Sequence, residues 1–428
     1  MNITDYLKNG KYILPDNPRL QYCGRIGRGN NGMPEMVFPC SFVKWRFKGT
    51  DAAVIIDAQR FYFDVYMGCF IDGVQYTLKL EPGMNRIGLM AEGSACSGDN
   101  MYPTRFDNGE IPEDDEYGRE TDGELAFGND VNIVGEHGFR KWENSGNDEH
   151  EIMLFKRQDA CNIVEICGIE LDKDAKLLEC EPLPGLKMEV YGDSVSAGEV
   201  SEALERAGKP DPEGHEGRYS NSRYSYSWIA ARKLNAQLHD IAQGGIPLLN
   251  GTGWFGPQED LIGMESIYDK IRYYPDLKHA EKWDFSKFIP DVAVVAFGQN
   301  DAHPDDFMKT LRESGKTPGD VLATRTVTEP SENDKTAEKA GYWMNRYKAF
   351  LERLRELYPK ALIVCTTTIL CHDSAWDDAI DEVVRKTGDP RIKHFLYPDN
   401  GSGTPGHIRA NEAAKMAEEL AGFIRSCL

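Results

Sequence analysis

The pattern of the sequence changes at a proline-rich junction, residues 182–185 (PLPG), and this change constrains the fold more than any other feature. Before the junction, apolar and polar residues alternate, as over residues 43–47 (VKWRF), which is the period of a half-buried strand. After the junction, strand-like and helix-like segments alternate to the end of the chain. We therefore predict two domains, residues 1–182 and 186–428.

The first domain is predicted to be an antiparallel β structure. Asp72-Gly73 lies between two alternating segments and is a typical hairpin signal. Strand-like segments return at 150–156 and 162–178, and no convincing amphipathic helix precedes residue 180, which favours a sandwich or jelly roll. An acidic insertion, about residues 97–148, interrupts these strands and is too polar to pack in a core.

The second domain is predicted to be a parallel sheet with helices on both faces. The expected strands cover 188–191, 237–242, 292–297 and 362–367, and the expected helices include 226–234, 260–273 and a C-terminal helix. Ligands of such sheets bind at the carboxyl ends of the strands. Chemistry is therefore expected just after Tyr191, Ala242 and Phe297.

Four residues are placed where that chemistry is expected. Ser194 lies in a glycine-bounded turn after the first strand, Gly245 follows the second strand, and Asn300 follows the third. His407 precedes the last helix, from which a histidine can reach the same sheet edge as a base for the serine. Each residue alone also fits a structural role, as a turn, a helix cap or an ordinary histidine.

The turn that carries Ser194 differs from the nucleophile elbow of α/β-hydrolases, because Ser196 stands where that motif requires glycine.

The net charge of the chain excludes some classes of partner. Lys and Arg number 49 against 70 Asp and Glu, a net charge of −21 that repels nucleic acid and anionic membranes. No uncharged apolar run reaches the length of a membrane span, and scattered acidic residues and histidines lack the spacing of a metal site.

Taken in order, these four sequence blocks resemble the SGNH (GDSL-type) hydrolases. In the first domain, residues 23–26 (CGRI), 38–50 (FPCSFVKWRFKGT) and 70–73 (FIDG) resemble the jelly-roll domain of carbohydrate esterase family 2. The resemblance covers most of the chain. It leaves out the acidic insertion and much of residues 199–223 and 303–337.

The resemblance implies that Ser194 is a nucleophile and His407 its general base. It also implies an oxyanion hole formed by the backbone amides of Ser194 and Gly245 and by the side chain of Asn300. These groups are chemically consistent with the formation and stabilisation of a tetrahedral intermediate.

One part of the pattern is missing. The acid three residues before the histidine is replaced by Thr404, and the proline after the histidine is replaced by Ile408. Family 2 members can work as a Ser–His dyad in which a backbone carbonyl holds the histidine, and this is the arrangement we expect. Asp399 and Asp301 are the alternatives for a third member of the triad.

The resemblance implies a serine esterase that removes O-acetyl groups from manno- or xylo-oligosaccharides through an acetyl-Ser194 intermediate, without cofactor or metal. Trp254 is the preferred candidate for a sugar platform, ahead of Trp343 and Trp376, because glycines flank it. The alternatives are an esterase or thioesterase for another acyl group, and a non-catalytic carbohydrate-binding protein. The start of the chain has no export signal, so we expect a cytoplasmic protein, and a homo-oligomer remains open.

Overall fold

The computed structural model describes residues 6–8, 10–104, 148–257, 260–322 and 336–428. Most of the predicted acidic insertion lies outside the described residues. In the described part of the chain, no helix combines the length and the apolar character that a membrane span requires.

Two antiparallel sheets, each of seven strands in the described residues, form the first domain. Their strands are β1 (Lys11–Ile13), β2 (Gln21–Cys23), β3 (Ile26–Arg28), β4 (Pro34–Met36), β5 (Phe42–Lys48), β6 (Ala52–Arg60), β7 (Val65–Ile71), β8 (Val74–Leu80), β9 (Gly83–Ala91), β10 (Ser94–Ala95), β11 (Met101–Pro103), β12 (Glu149–Lys156), β13 (Asn162–Leu171) and β14 (Lys176–Leu178). One sheet has the order β10-β9-β6-β13-β4-β3, with β1 beside β13. The other has the order β11-β8-β7-β12-β5-β14, with β2 beside β5.

The alternating pattern of the first domain explains this sandwich. Val43, Trp45 and Phe47 of β5 are buried in the core between the sheets, while the residues between them are partly exposed. The hairpin between β7 and β8 turns at Asp72 and Gly73, both of which have positive φ, 51° and 89°. Such a turn matches the twist of the paired strands.

The second domain contains a parallel sheet in the order β16-β15-β17-β18-β19. Its strands are β15 (Leu186–Gly192), β16 (Ala236–Ala242), β17 (Val292–Ala296), β18 (Leu362–Thr366) and β19 (Ile392–His394). Its helices are α1 (Ser194–Ala197), α2 (Tyr226–Lys233), α3 (Met264–Ile267), α4 (Phe307–Glu313), α5 (Pro318–Leu322), α6 (Thr336–Leu357), α7 (Ala375–Thr387) and α8 (Ala410–Cys427). Helices α2 and α8 pack on one face of the sheet, and α3, α6 and α7 pack on the other. The predicted fold class is confirmed.

The predicted helix over 260–273 is wrong, since only the single turn of α3 forms there. Arg25, a buried residue of the first domain, donates hydrogen bonds to the carbonyls of Tyr268 (2.5 Å) and Lys270 (3.2 Å). These carbonyls therefore bond to a side chain from the other domain. Arg25 also pairs with Glu189 of β15 at 3.1 Å, which joins the two domains at this point.

The order of the parallel strands determines where a ligand-binding crevice opens at the edge of the sheet. The chain passes from β15 outward to β16, and then crosses back to β17 on the other side of β15. The order of the strands reverses there, so a crevice opens beyond the carboxyl ends of β15 and its neighbours. Ser194 follows β15 directly.

Candidate active site

The nucleophile candidate is held in a tight turn at the end of β15. Ser194 is the first residue of α1, and the Asp193 carboxylate caps this helix by accepting a hydrogen bond from the Val195 amide at 3.0 Å. Gly198 ends the helix in the left-handed conformation with φ of 74°. Ser194 is thereby fixed at the carboxyl edge of the sheet.

Asn300 is tied to the same turn through Asp193. Its side-chain Nδ2 donates to Asp193 Oδ2 at 3.2 Å and to the carbonyl of Ile246 at 3.1 Å. Gln299 Nε2 donates to the same Asp193 oxygen at 2.5 Å. Burial raises the pKa of Asp193 to about 6. The predicted oxyanion donor thus lies beside the nucleophile turn, in a network that fixes its amide.

Gly245 lies where the loop after β16 meets the loop carrying Trp254. Its φ is 71°, and a Cβ atom at this position would lie 2.8 Å from Cβ of Trp254. The Trp254 amide donates to the Gly245 carbonyl at 2.9 Å. Both the backbone conformation and the close approach require glycine.

Trp254 is 63% exposed, an unusual degree for tryptophan, and its ring stacks on His303 with centroids 3.4 Å apart. The other two platform candidates are core residues. Trp343 and Trp376 are fully buried, and their indole nitrogens donate to Asp301 and Asp306.

The predicted site residues line one cleft of about 650 Å³. Its lining residues are Tyr62, Phe63, Asp159, Ser194, Glu199, Gly244, Gly245, Trp254, Phe255, Gly256, Pro257, Tyr274, Asn300, Leu370, Gly406 and His407. The structure therefore brings together Ser194, Gly245, Asn300, Trp254 and His407, which lie far apart in the sequence. Among the described residues, no group of three or more His, Cys, Asp or Glu side chains is arranged to hold a metal ion.

A carboxylate that the sequence did not point to contacts His407. Nδ1 of His407 lies 2.7 Å from Oδ2 of Asp211, within hydrogen-bonding distance. The approach depends on Gly406, since a Cβ atom there would lie 2.4 Å from the same Asp211 oxygen. Asp211, and not the expected backbone carbonyl, therefore orients the imidazole.

Arg409 holds Asp211 in position. This arginine is fully buried, and its Nη1 donates to Asp211 Oδ1 at 2.9 Å and to the carbonyl of His407 at 2.6 Å. Its Nη2 donates to the carbonyl of Lys209 at 3.2 Å. One side chain thus connects the histidine loop to the segment that carries Asp211.

Thr404 makes a second connection between these two segments. Its hydroxyl oxygen accepts a hydrogen bond from the Gly208 amide at 2.8 Å. The residue that replaces the family's usual acid therefore helps to hold residues 199–223, the segment that supplies Asp211.

The charges around the histidine favour its protonated form. Burial alone lowers the pKa of His407, but the carboxylates of Glu199, Asp211 and Asp193 outweigh it, so the pKa is raised. Burial alone raises the pKa of Asp211, but its hydrogen bonds and ion pairs with His407 and Arg409 outweigh this, so the pKa is lowered. Asp211 is an ionised acceptor for the imidazole at neutral pH.

The two predicted alternatives for the third member have other partners. Asp301 is buried and accepts hydrogen bonds from the amides of Leu248 and Leu249 and from the Trp343 indole. Burial raises its pKa to about 7. Asp399 lies at the surface, where it pairs with Lys415. Neither contacts His407 in the described structure.

The sequence interpretation also missed Glu199, whose Oε2 lies 3.5 Å from Nε2 of His407, and three cleft residues of the first domain, Tyr62, Phe63 and Asp159. One signal was available for Asp211. The usual acid before His407 is absent, and a segment without counterpart in the family pattern follows the nucleophile turn.

Comparisons with known proteins show what this chain is similar to. The family model for the N-terminal domain of carbohydrate esterase 2 matches residues 22–95. The chain is 26% identical to the cellulase/esterase CelE of Acetivibrio thermocellus over 65% of this chain and 30% of that protein. It is 25% identical to an acetylxylan esterase / glucomannan deacetylase of Cellvibrio japonicus over 59% of this chain and 60% of that protein. The matches thus span less than two thirds of either curated relative.

Two solved structures share the whole architecture. A family two carbohydrate esterase from Cellvibrio japonicus superposes with a TM-score of 0.67 at 20% identity, covering 98% of each chain. A family two carbohydrate esterase from Clostridium thermocellum in complex with cellohexaose gives a TM-score of 0.64 at 21% identity, covering 95% of this chain and 98% of that one.

The fold and the arrangement of the site resemble those of SGNH hydrolases, with an additional N-terminal β-sandwich domain. Within that class, the chain is similar to carbohydrate esterase family 2, as its sequence predicted.

Proposed function

We propose that this protein is a serine esterase that removes O-acetyl groups from carbohydrate through an acetyl-Ser194 intermediate. The observation that carries the proposal is the single cleft lined by Ser194, Gly245, Asn300 and His407, with Asp211 on the far nitrogen of the histidine. A serine, a base that an acid orients, and donors for an oxyanion are the parts that acyl transfer needs.

In the acylation step, Oγ of Ser194 gives its proton to Nε2 of His407 and forms a bond with the acetyl carbonyl carbon. The carbonyl electron pair moves to its oxygen. The Ser194 and Gly245 amides stabilise this oxygen together with one N–H of Asn300, which exchanges its hydrogen bond to Asp193 for one to the oxyanion. The bond to the sugar oxygen then breaks, and this oxygen takes the proton from Nε2. The sugar leaves with a free hydroxyl.

In the deacylation step, a water molecule gives a proton to Nε2 of His407 and attacks the carbonyl carbon of acetyl-Ser194. The tetrahedral intermediate breaks its bond to Oγ, which recovers the proton from Nε2. Acetic acid leaves and ionises at neutral pH. Asp211 accepts a hydrogen bond from Nδ1 throughout, which keeps Nε2 directed to the cleft and stabilises the imidazolium.

A carbohydrate leaving group fits the walls of the cleft. Trp254 presents an exposed ring stacked on His303, and Tyr62, Phe63 and Tyr274 add further aromatic surface. Such surfaces pack against the apolar faces of sugars. One of the relatives is an acetylxylan esterase / glucomannan deacetylase, which supports acetylated manno- or xylo-oligosaccharides as substrates.

The test is acetate release from a panel of acetylated manno-, xylo- and cello-oligosaccharides by the wild type, Ser194→Ala and His407→Ala. We expect the wild type to release acetate, and each substitution to lower kcat by about 10⁴-fold or more. Glu213→Gln, which changes an exposed carboxylate in the 199–223 segment, serves as the control.

Other outcomes separate the alternatives. If the protein hydrolyses thioesters or longer acyl esters but no acetylated sugar, its substrate carries a different acyl group. Binding of oligosaccharides without hydrolysis by a folded wild type indicates a carbohydrate-binding protein. The cytoplasmic location and the oligomeric state stay predictions.

A further inference from the structure

Glu199 enters the cleft beside the nitrogen of His407 that handles the proton. It follows Gly198, which ends the nucleophile helix, and its amide donates to the carbonyl of Ser194 at 3.0 Å. Its Oε2 lies 3.5 Å from Nε2 of His407. The carboxylate is therefore fixed to the same turn as the nucleophile and lies beside the position of the leaving oxygen.

The neighbouring carboxylate of Asp159 is fully satisfied. Its oxygens accept hydrogen bonds from the Gly244 amide (2.7 Å), Gln243 Nε2 (2.6 Å), the Cys161 amide (2.9 Å) and the Tyr62 hydroxyl (3.4 Å). Asp159 has the environment of a structural residue, because its acceptor positions are used within the protein.

Glu199 has no such partners. Within the described ranges, no N–H or O–H group donates a hydrogen bond to its carboxyl oxygens, and its contact with His407 is the one ion pair it makes. The side chain is 17% exposed and lines the cleft, and burial raises the pKa of Glu199 to about 7. A ligand in the cleft displaces the water from this carboxylate, which is costly unless the ligand itself supplies a donor.

The residues that line the cleft indicate which kind of ligand would supply a donor to Glu199. Its described lining contains two carboxylates, one histidine and several aromatic rings, with neither lysine nor arginine. Such walls disfavour an anionic substituent and suit a neutral sugar. Because the sugar oxygen that leaves must meet Nε2 of His407, which lies 3.5 Å from Oε2 of Glu199, we expect the next hydroxyl on the same ring to lie within reach of Glu199.

We propose that Glu199 is a specificity-determining residue, whose carboxylate accepts a hydrogen bond from a free sugar hydroxyl next to the ester. This inference rests on the proposed function. It requires that partly acetylated sugars, which carry such a hydroxyl, are preferred to fully acetylated ones, which do not.

The test compares methyl β-xylopyranoside carrying one acetyl group with its triacetate. The variant Glu199→Met keeps the length of the side chain and removes both acceptors, whereas Glu199→Gln keeps one accepting oxygen. We expect the ratio of kcat/KM for the monoacetate to that for the triacetate to fall about tenfold or more in Glu199→Met. We expect a smaller fall of about threefold in Glu199→Gln, and none in the exposed control Glu213→Gln.

An unchanged ratio in Glu199→Met overturns the inference, even when both rates fall together. If Glu199→Met does not fold, as thermal unfolding shows, the ratio in Glu199→Gln decides in the same way.

A binding measurement keeps this result separate from failure of the proposed function. In the Ser194→Ala background, calorimetry gives Kd for the monoacetate and the triacetate with and without Glu199→Met. A selective loss of monoacetate affinity of about tenfold supports the role of Glu199 even if the wild type hydrolyses neither compound. Equal affinities with and without Glu199→Met overturn it.

Discussion

The two sides of the cleft are built in different ways. On one side, Ser194 and Asn300 each follow a strand of the parallel sheet, and Asp193 binds the two segments together. On the other side, His407 stands in a loop before α8, and its partner Asp211 lies 196 residues earlier in a segment without strands. The first arrangement follows from the register of the sheet, and the second depends on side-chain hydrogen bonds.

This difference has a functional consequence. The position of a residue at a strand end is fixed by many backbone hydrogen bonds, so it survives the loss of one side chain. On the histidine side, one backbone hydrogen bond, from the Ala410 amide to the Ser201 carbonyl at 2.9 Å, and the side chains of Arg409 and Thr404 connect the segments that carry His407 and Asp211. Single substitutions on the histidine side should therefore affect catalysis strongly while leaving the sheet intact.

The largest effect is expected from Asp211→Asn. An asparagine amide donates to Nδ1 of His407, which leaves the imidazole in the wrong tautomer for a base, and we expect kcat to fall about 10⁴-fold. The measurement is the rate of acetate release from the preferred oligosaccharide, with thermal unfolding to show that the fold is kept.

Asp399→Asn is the matched control, because Asp399 is the surface alternative for the same role and pairs with Lys415. It should keep wild-type activity. The reverse result, with Asp399→Asn inactive and Asp211→Asn active, would show that the histidine side is assembled differently in solution.

A smaller effect is expected on the strand side from Asn300→Ala. Removing one donor from an oxyanion hole costs about 10²–10³-fold in kcat. Asn400→Ala removes an amide that binds Asp377 and lies outside the cleft lining, so it should change stability rather than kcat. An Asn300→Ala enzyme with normal kcat would mean that this amide only supports Asp193.

These two sides also differ in what the sequence could predict. Ser194 and Asn300 were placed at one edge because apolar strands end just before them, and parallel strands bring their carboxyl ends together. Asp211 lies in a segment without periodicity, so only the folded chain places it against His407. Asp399 was one of the two alternatives for this role, but its side chain pairs with Lys415 instead.

Contacts between the domains could not be predicted from the sequence either. The apolar pattern over residues 260–273 is helical, and no local feature shows that Arg25 binds the carbonyls of this segment. The same holds for Tyr62, Phe63 and Asp159, which the first domain contributes to the cleft. Periodicity reports which face of an element is buried, but not which distant side chain meets its ends.

Trp254→Ala should have a moderate effect confined to sugar binding. Loss of an aromatic platform worth about 1 kcal/mol should raise KM for oligosaccharides several-fold, while hydrolysis of 4-nitrophenyl acetate changes less. Trp376→Ala is the contrasting variant, because Trp376 is fully buried and its loss should lower the melting temperature. If Trp254→Ala leaves KM unchanged, the Trp254 ring does not contribute to sugar binding.

The smallest effect is a shift in the pH profile, which tests the charges on the histidine side. Activity requires neutral His407, and the pKa of His407 is raised, so kcat/KM should fall as the pH drops through a value above about 6.5. Glu199→Gln removes one of the three carboxylates that raise this pKa, so the acid limb should move to lower pH. Because burial raises the pKa of Glu199 to about 7, it is only partly ionised there, and the shift should stay below about one pH unit. Glu213→Gln should leave the limb in place, whereas a shift to higher pH in Glu199→Gln would contradict this account of the charges around His407.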